Sequence, residues 1–330
     1  MAVSPVQTGL VFDHAFRNHD PGEGHPECPE RYLALSEAFK KASLLPSLPR
    51  IPARLASEDD IHLVHTRPYF ETVQHDHRRG AATLSTGDTA IGEATLETAH
   101  LAAGAALAAV DAVFEGHVRN AFAAVRPPGH HATASRGMGF CVFNNVAIAA
   151  RYARKAWGAD RILIIDWDVH HGNGTQDIFY TDPSVLFFSV HQWPWYPGTG
   201  AADETGEGSG KGTNINCPLP AGSGRGAVLE AFRKKLLPAA NAFRPSLVLI
   251  SAGFDSRRGD PLGRFTLSDG DFAEMTGMAL EIAAAHAGGR LVSLLEGGYS
   301  LSGLASAATA HVQALSGNGG SRRPQPKSAP

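Results

Sequence analysis

ILIIDWDVHHGNG, residues 162–174, is the stretch from which the rest of the chain is read. It opens with four apolar residues in a row, Ile162 to Ile165, and no polar face. Such a run predicts a strand buried on both sides, the pattern of a parallel sheet inside an α/β domain. Polar residues then come at alternate positions: Asp166, Asp168 and His170. If the strand continues that far, its period of two sends all three side chains the same way. Two carboxylates and an imidazole gathered at the end of a buried strand repel one another and lose hydration unless a cation joins them, so the stretch predicts a metal site. The alternative is an Asp-rich strand end that caps the next helix, which Asn173 and Gly174 would serve equally.

From residue 120 onward strands and helices alternate regularly. Strands are expected at 121–125, 185–190, 246–252 and 291–295, and helices at 145–157, 226–243, 268–286 and in a last segment ending near 315. Ahead of these lie an expected strand at 9–12, a loop at 13–29, a helix opened by HPECPERY, helices at 58–65 and 67–78, a loop at 83–91 with Asp88 near its tip, and an Ala-rich helix at 93–115. The alternation predicts one doubly wound α/β domain over 1–315, followed by a tail, 316–330, of disordered composition. In such sheets ligands sit beyond the carboxyl ends of the strands. RPPGHH, DWDVHHGN, GFDS and EGGY all fall there. The loop QWPWYPGTGAADETGEGSGKG, 192–212, exceeds an ordinary connection and is read as functional.

Composition narrows the function. The net charge is −3 and no Lys/Arg cluster tracks a phosphate backbone, so no nucleic-acid partner is expected. Cys28, Cys141 and Cys217 are too few and too scattered for a disulfide framework and fit a reducing cytoplasm. The start MAVSPVQTGLVFDH lacks the basic region and apolar core of a signal peptide. The most apolar helix candidate, 94–114, is interrupted by Glu97, His100 and Asp111, against a membrane span. A soluble cytoplasmic protein is expected.

Asp255 follows the apolar strand VLISA and joins Asp168 and His170 in an Asp–His–Asp set of net charge −2, matched to a divalent ion. Three protein ligands leave a position open, as in catalytic zinc sites. A helix cap is the other reading of Asp255, since Ser256 and a turn follow. His130 and His131 are presented rigidly by Pro-Pro-Gly. Neighbouring imidazoles are costly to protonate together, so one serves as base or acid near neutrality, with Asp166 and Asn173 as candidate partners that would split their pKa values. A tautomer-locked structural pair is the alternative. Tyr299, after two glycines, could donate to a developing oxyanion or simply pack. Phe140 and Tyr196 are glycine-flanked aromatics suited to walling a narrow channel or filling the core. Together these are the parts for hydrolysing an amide with metal-activated water.

RPPGHHA, GFCVFNN, DWDVHHGNGTQ, YPGTG, SAGFDSRRGDPLG and LLEGGY stand in an order and spacing that resemble the histone deacetylase family over residues 9–315. Asn173 and the HPExPERY loop are similar to its class II and bacterial members, grouped with the acetylpolyamine amidohydrolases. The resemblance implies the arginase–deacetylase fold, a three-layer α/β/α arrangement around a mostly parallel eight-stranded sheet. It implies a zinc-dependent deacetylase with one Zn²⁺ per chain on Asp168, His170 and Asp255. His131 would be the general base, backed by Asn173, and His130 its electrostatic or acid partner, backed by Asp166. Tyr299 would polarise the acyl carbonyl; Phe140, Gly139 and Tyr196 would line the acyl-lysine tunnel, although the family often has Phe where Tyr196 stands. Asp88 falls where some members hold the substrate backbone, and Arg31 near an internal acetate-release pocket. Potassium would sit on oxygens of Asp166, Asp168, His170, Ser189 and Val190, with a second ion near Phe179, Asp182 and Val185. At Leu262 the polyamine-specific branch has an acidic residue, so leucine points to acylated lysine or a small neutral amide. An acetylpolyamine deacetylase, a dinuclear arginase-type hydrolase and a binding module that keeps the fold are the rival readings. Asp/His ligands accept ferrous iron as well as zinc.

Overall fold

The computed structural model describes residues 8–317; the expected tail, from residue 318 on, lies outside them. Seven strands form one sheet: β1 (Thr8–Val11), β2 (Asn120–Ala123), β3 (Ile162–Asp166), β4 (Val185–Gln192), β5 (Asn214–Leu219), β6 (Leu247–Ala252) and β7 (Leu291–Leu295). Their order is β1-β2-β7-β6-β3-β4-β5 and every pairing is parallel. Ile162, Leu163, Ile164 and Ile165 are all 0% exposed, because β3 lies between β6 and β4 with helices over both faces. The apolar run needs no polar side, as a central parallel strand requires.

On one face the helix Leu301–Leu315 packs against Glu30–Lys41 and Asp269–His286; the helices Thr95–Phe114 and Asn145–Trp157 pack together elsewhere on the sheet. Thr95–Phe114 is long and apolar enough to cross a membrane by length and composition, yet 67% of its most apolar window is buried inside the domain. Its alanines pack on β1, β2 and β7.

The resemblance implies an eighth strand; the described residues contain seven. A one-residue parallel bridge, Arg50 to Leu10, extends the sheet beyond β1. Pro49 and Pro52 flank it closely, and neither has an N–H to lengthen a ladder. At the opposite edge, β5 is a strand that periodicity does not announce. NINCPL mixes Asn and Pro, poor strand formers, and Pro is tolerated there because an edge strand leaves one side unpaired. The expected helix at 58–65 is a single turn, Glu58–Ile61, opened by a Ser57/Asp60 capping box. It ends where Nδ1 of His62 meets the His65 carbonyl at 3.1 Å.

The strand order places the site. The connection leaving β3 leads to β4 on one side, and the one leaving β6 leads to β7 on the other. The β3/β6 boundary is therefore a topological switch point, where a crevice opens past the strand ends. DWDVHHGN follows β3 and GFDS follows β6.

Candidate active site

β3 stops at Asp166, so strand alternation does not carry the next two polar residues to one face. Side-chain caps do so instead. The Asp168 amide donates to Asp166 Oδ1 at 3.1 Å and the His170 amide to Asp168 Oδ1 at 2.9 Å, folding the segment into tight bends. Asp168 and His170 thereby meet Asp255, and one ligand atom from each lies within 4.8 Å of the others. His170 Nδ1 is 3.0 Å from Asp168 Oδ1 and 3.2 Å from Asp255 Oδ2. Asp255 is no helix cap: its Oδ1 accepts the Val169 amide at 2.8 Å. The Gly297 amide donates to Asp168 Oδ2 at 2.8 Å, and a Cβ at Gly297 would overlap both carboxylates.

This group fits a divalent cation. Two fully buried carboxylates share the space, and among the described residues histidines are their only ion-pair partners. Burial works to lower the pKa of His170, but hydrogen bonds to Asp168 and Asp255 push it up to about 10. The pocket thus draws positive charge onto its imidazole. A cation on the same atoms would serve that demand with three protein ligands and an open position.

The RPPGHH loop sets the histidine pair beside this group. His130 Nδ1 lies 2.9 Å from Asp166 Oδ2 and His131 Nδ1 lies 2.7 Å from Asn173 Oδ1, with the rings 4.0 Å apart. Their environments separate them. Burial disfavours charge on both, but Asp166 and Asp168 hold the His130 pKa well above the ordinary value. Burial together with His130 and His170 drives that of His131 well below it. One imidazole is kept cationic and the other neutral, which divides acid from base.

Above the pair a cavity of about 280 Å³ opens to solvent. Phe140 and Tyr299 meet edge-on at 5.8 Å, and Tyr196 stands 5.2 Å from the His131 ring. Leu262, Asp88 and Gly139 complete the expected lining, and Trp195 joins them, its Nε1 donating to the Leu262 carbonyl at 2.9 Å. Gly139 has a φ of +56°, and a Cβ there would overlap the His131 imidazole. His25 of the HPECPERY loop packs against Phe140 at 4.6 Å, placing that loop at the rim. Burial pushes the Tyr299 hydroxyl well above its ordinary pKa, so it remains a hydrogen-bond donor.

Beneath Tyr299 lies a charge cluster with no counterpart in the sequence reading apart from Arg31. Arg31 Nε and Nη2 donate to the carbonyls of Gly298 and Glu296 at 2.7 and 2.6 Å, and its guanidinium lies over the Tyr299 ring at 5.1 Å. Nη1 pairs with Glu27 at 2.7 Å, and Glu27 receives Arg126 on both oxygens at 2.6 and 2.8 Å. Glu296 accepts the amides of Gly129 and His130 at 2.6 and 3.2 Å, tying EGGY to the histidine loop. Asp260 accepts the Tyr299 amide at 2.7 Å. Arg126 and Glu296 follow the apolar runs AFAAV and LVSLL as Asp166 follows ILII, a signal that could have singled them out.

Some of the residues expected to hold potassium are neighbours in the sheet. Ser189 is in register with Asp166 and its Oγ lies 2.9 Å from His191 Nδ1, while Val190 is buried beside it. Phe179, Asp182 and Val185 lie on two successive turns, closed by Asp182 N to Phe179 O at 3.0 Å and Val185 N to Asp182 O at 3.4 Å.

Metal-assisted hydrolysis is the class of chemistry this grouping suits. The family model of the histone deacetylase domain matches residues 25–315. A "Probable deacetylase" of Archaeoglobus fulgidus is 40% identical over 298 residues, 90% of this chain and 82% of that one. "Polyamine deacetylase HDAC10" of Mus musculus is 44% identical over 311 residues, 91% of this chain and 46% of that one. The crystal structure of the HDA15 HD domain superposes with a TM-score of 0.90 at 40% identity, covering 95% of this chain and 89% of that one. The chain belongs to the histone deacetylase family and has its fold. It is a hydrolytic deacetylase, with amidohydrolase activity of the histone deacetylase type.

Proposed function

We propose that the chain, through one catalytic domain spanning 1–315, removes acetyl or another short acyl group from acylated lysine, with zinc held by Asp168, His170 and Asp255. The observation that carries this reading is the buried Asp–His–Asp group beside a neutral His131, at the base of a cavity walled by Phe140 and Tyr196. When bound, the metal supplies Lewis acidity toward water and the acyl carbonyl. His131, oriented by Asn173, takes the proton of the attacking water. The Tyr299 hydroxyl donates to the carbonyl oxygen as charge develops there. As the tetrahedral intermediate breaks, a histidine of the pair protonates the leaving amine; His130, held cationic by Asp166, balances the charge. Potassium on the Asp166, Asp168, His170, Ser189 and Val190 oxygens would brace the strand end, and Phe179, Asp182 and Val185 offer a second such position. The cytoplasm is the proposed setting, in keeping with three cysteines that form no disulfide.

An acyl-chain series on one lysine peptide, with and without a chelator, tests this reading. Turnover is expected to vanish on chelation and return with zinc, and short chains are expected to lead. Full turnover by chelated, metal-free protein would refute it.

The relative named for polyamine deacetylation motivates a second reading, a small cationic acylated amine as substrate. Leu262 at the rim offers such a chain no charge. Replacing it, Leu262→Glu, is expected to shift the ratio of kcat/KM for acetylspermidine over acetyl-lysine peptide upward by roughly tenfold, the effect of one partly solvated ion pair. A wild-type protein that already prefers acetylspermidine would overturn the lysine assignment.

A further inference from the structure

Two loops leaving neighbouring strands must hold their side chains in one geometry. RPPGHH, after β2, carries the histidine pair, and EGGY, after β7, carries Tyr299. One buried side chain joins them. Glu296 is 0% exposed, and its Oε2 accepts the amides of both Gly129 and His130. Its Oε1 accepts the Ser251 hydroxyl of β6 at 3.1 Å, which fixes the plane of the carboxylate.

Among the described residues no other group accepts those two amides. Other contacts of the histidine loop are made by its carbonyls: Asn145 Nδ2 donates to that of Pro127 at 3.1 Å, and the Thr175 amide to that of His130 at 3.2 Å. On its far side the loop has no slack. A Cβ at Gly129 would come within 2.5 Å of the Asn145 nitrogen and 2.8 Å of the Phe143 oxygen. The loop is thus pressed between the start of the helix Asn145–Trp157 and one carboxylate. EGGY also reaches the ligand group, since the Gly297 amide donates to Asp168 Oδ2.

We propose that Glu296 is a positioning residue for deacylation: holding the Gly129 and His130 amides from the strand end that carries Tyr299, it sets the distance between the acid–base pair and the hydroxyl that polarises the acyl carbonyl. It acts as an acceptor in a fixed place and does not line the cavity. The inference rests on reading the histidine pair and Tyr299 as the catalytic groups. Small displacements matter here, because a misplacement of about 1 Å can cost on the order of a hundredfold in rate.

Glu296→Asp draws the acceptor back by one methylene. Glu296→Gln keeps it in place, with its amide oxygen on the two N–H groups and its Nε2 donating to Ser251 Oγ. On an acetyl-lysine peptide, Glu296→Asp is expected to lose about tenfold in kcat with KM within about twofold, and Glu296→Gln to stay within about threefold of the wild type. Hydrogen–deuterium exchange at the Gly129 and His130 amides, referenced to the β3 amides, is expected to quicken about tenfold in Glu296→Asp and to hold in Glu296→Gln. Should Glu296→Asp fail to fold, Ser251→Ala, which frees the other carboxylate oxygen, is expected to show both changes at about threefold. Wild-type kcat or wild-type exchange in Glu296→Asp, or in Ser251→Ala where it stands in, would overturn the proposal. So would a Glu296→Gln protein that loses as much as Glu296→Asp, since charge and not place would then be decisive. A wild type that turns over no acylated peptide would count against deacylation instead, and the exchange comparison would still decide whether Glu296 holds the histidine loop.

Discussion

His131→Phe is expected to lose about two to four orders of magnitude in kcat, the usual worth of a positioned general base, with little change in KM. The imidazole sits 2.7 Å from Asn173 and its ring faces both His170 and the cavity. Burial and the neighbouring His130 and His170 keep it neutral, so it can take a proton without first losing one. Phenylalanine preserves the contact with Gly139 and Tyr196 while removing both nitrogens. The ligand group Asp168–His170–Asp255 does not include position 131, so metal content measured on the variant should equal that of the wild type. Retained turnover would exclude His131 as base, and loss of metal would reassign it to the ligand shell.

The sheet was legible in ILII, VLFF and LVLI, because central parallel strands bury both faces and leave no polar alternation to blur the signal. The site was legible for the same reason: where such a run ends in Asp or His, the side chain stands at a strand terminus over the crevice. What stayed hidden is non-local or capped. Asp168 and His170 converge through bends held by side-chain oxygens, which a strand period does not describe. β5 has too much Asn and Pro to stand out, and a bridge between two prolines takes the expected eighth position. Tyr196 and Asp88 could each be placed near a rim, but the hydrogen bond from the Tyr196 hydroxyl to Asp88 Oδ2 depends on two loops meeting across 108 residues. Arg31 was placed near an internal pocket; its grip on the EGGY carbonyls, and Glu27 and Arg126 beside it, needed the fold.

That buried cluster carries the largest expected effect on stability. Glu27, Arg31 and Arg126 are each 0% exposed, and Glu27 is the carboxylate that both guanidiniums share. Glu27→Ala leaves two cations buried against carbonyls and the Tyr299 ring with no carboxylate partner, and loss of about 3–5 kcal/mol is expected, since removing one partner strands the other's charge. Unfolding by urea, followed by far-UV circular dichroism, reads this directly. Glu27→Gln keeps the shape and some hydrogen bonds, so it should fall between. The acid limb supplies an independent check. Burial raises the Glu27 pKa, but Arg126, His19 and Arg31 together hold it well below the ordinary carboxylate value. A depressed folded pKa contributes stability that is fully present above the unfolded value, about 4.3, and is lost as pH falls through the folded one. The stability gap between wild type and Glu27→Gln should therefore stay constant from neutrality down to about pH 5 and narrow below it. Because Arg31 also grips the carbonyls on either side of Gly297, folded Glu27→Gln protein should lose kcat through a displaced Tyr299. An alanine variant as stable as the wild type, or a gap that widens in acid, would show that the two arginines find their stabilisation in the carbonyls and not in Glu27.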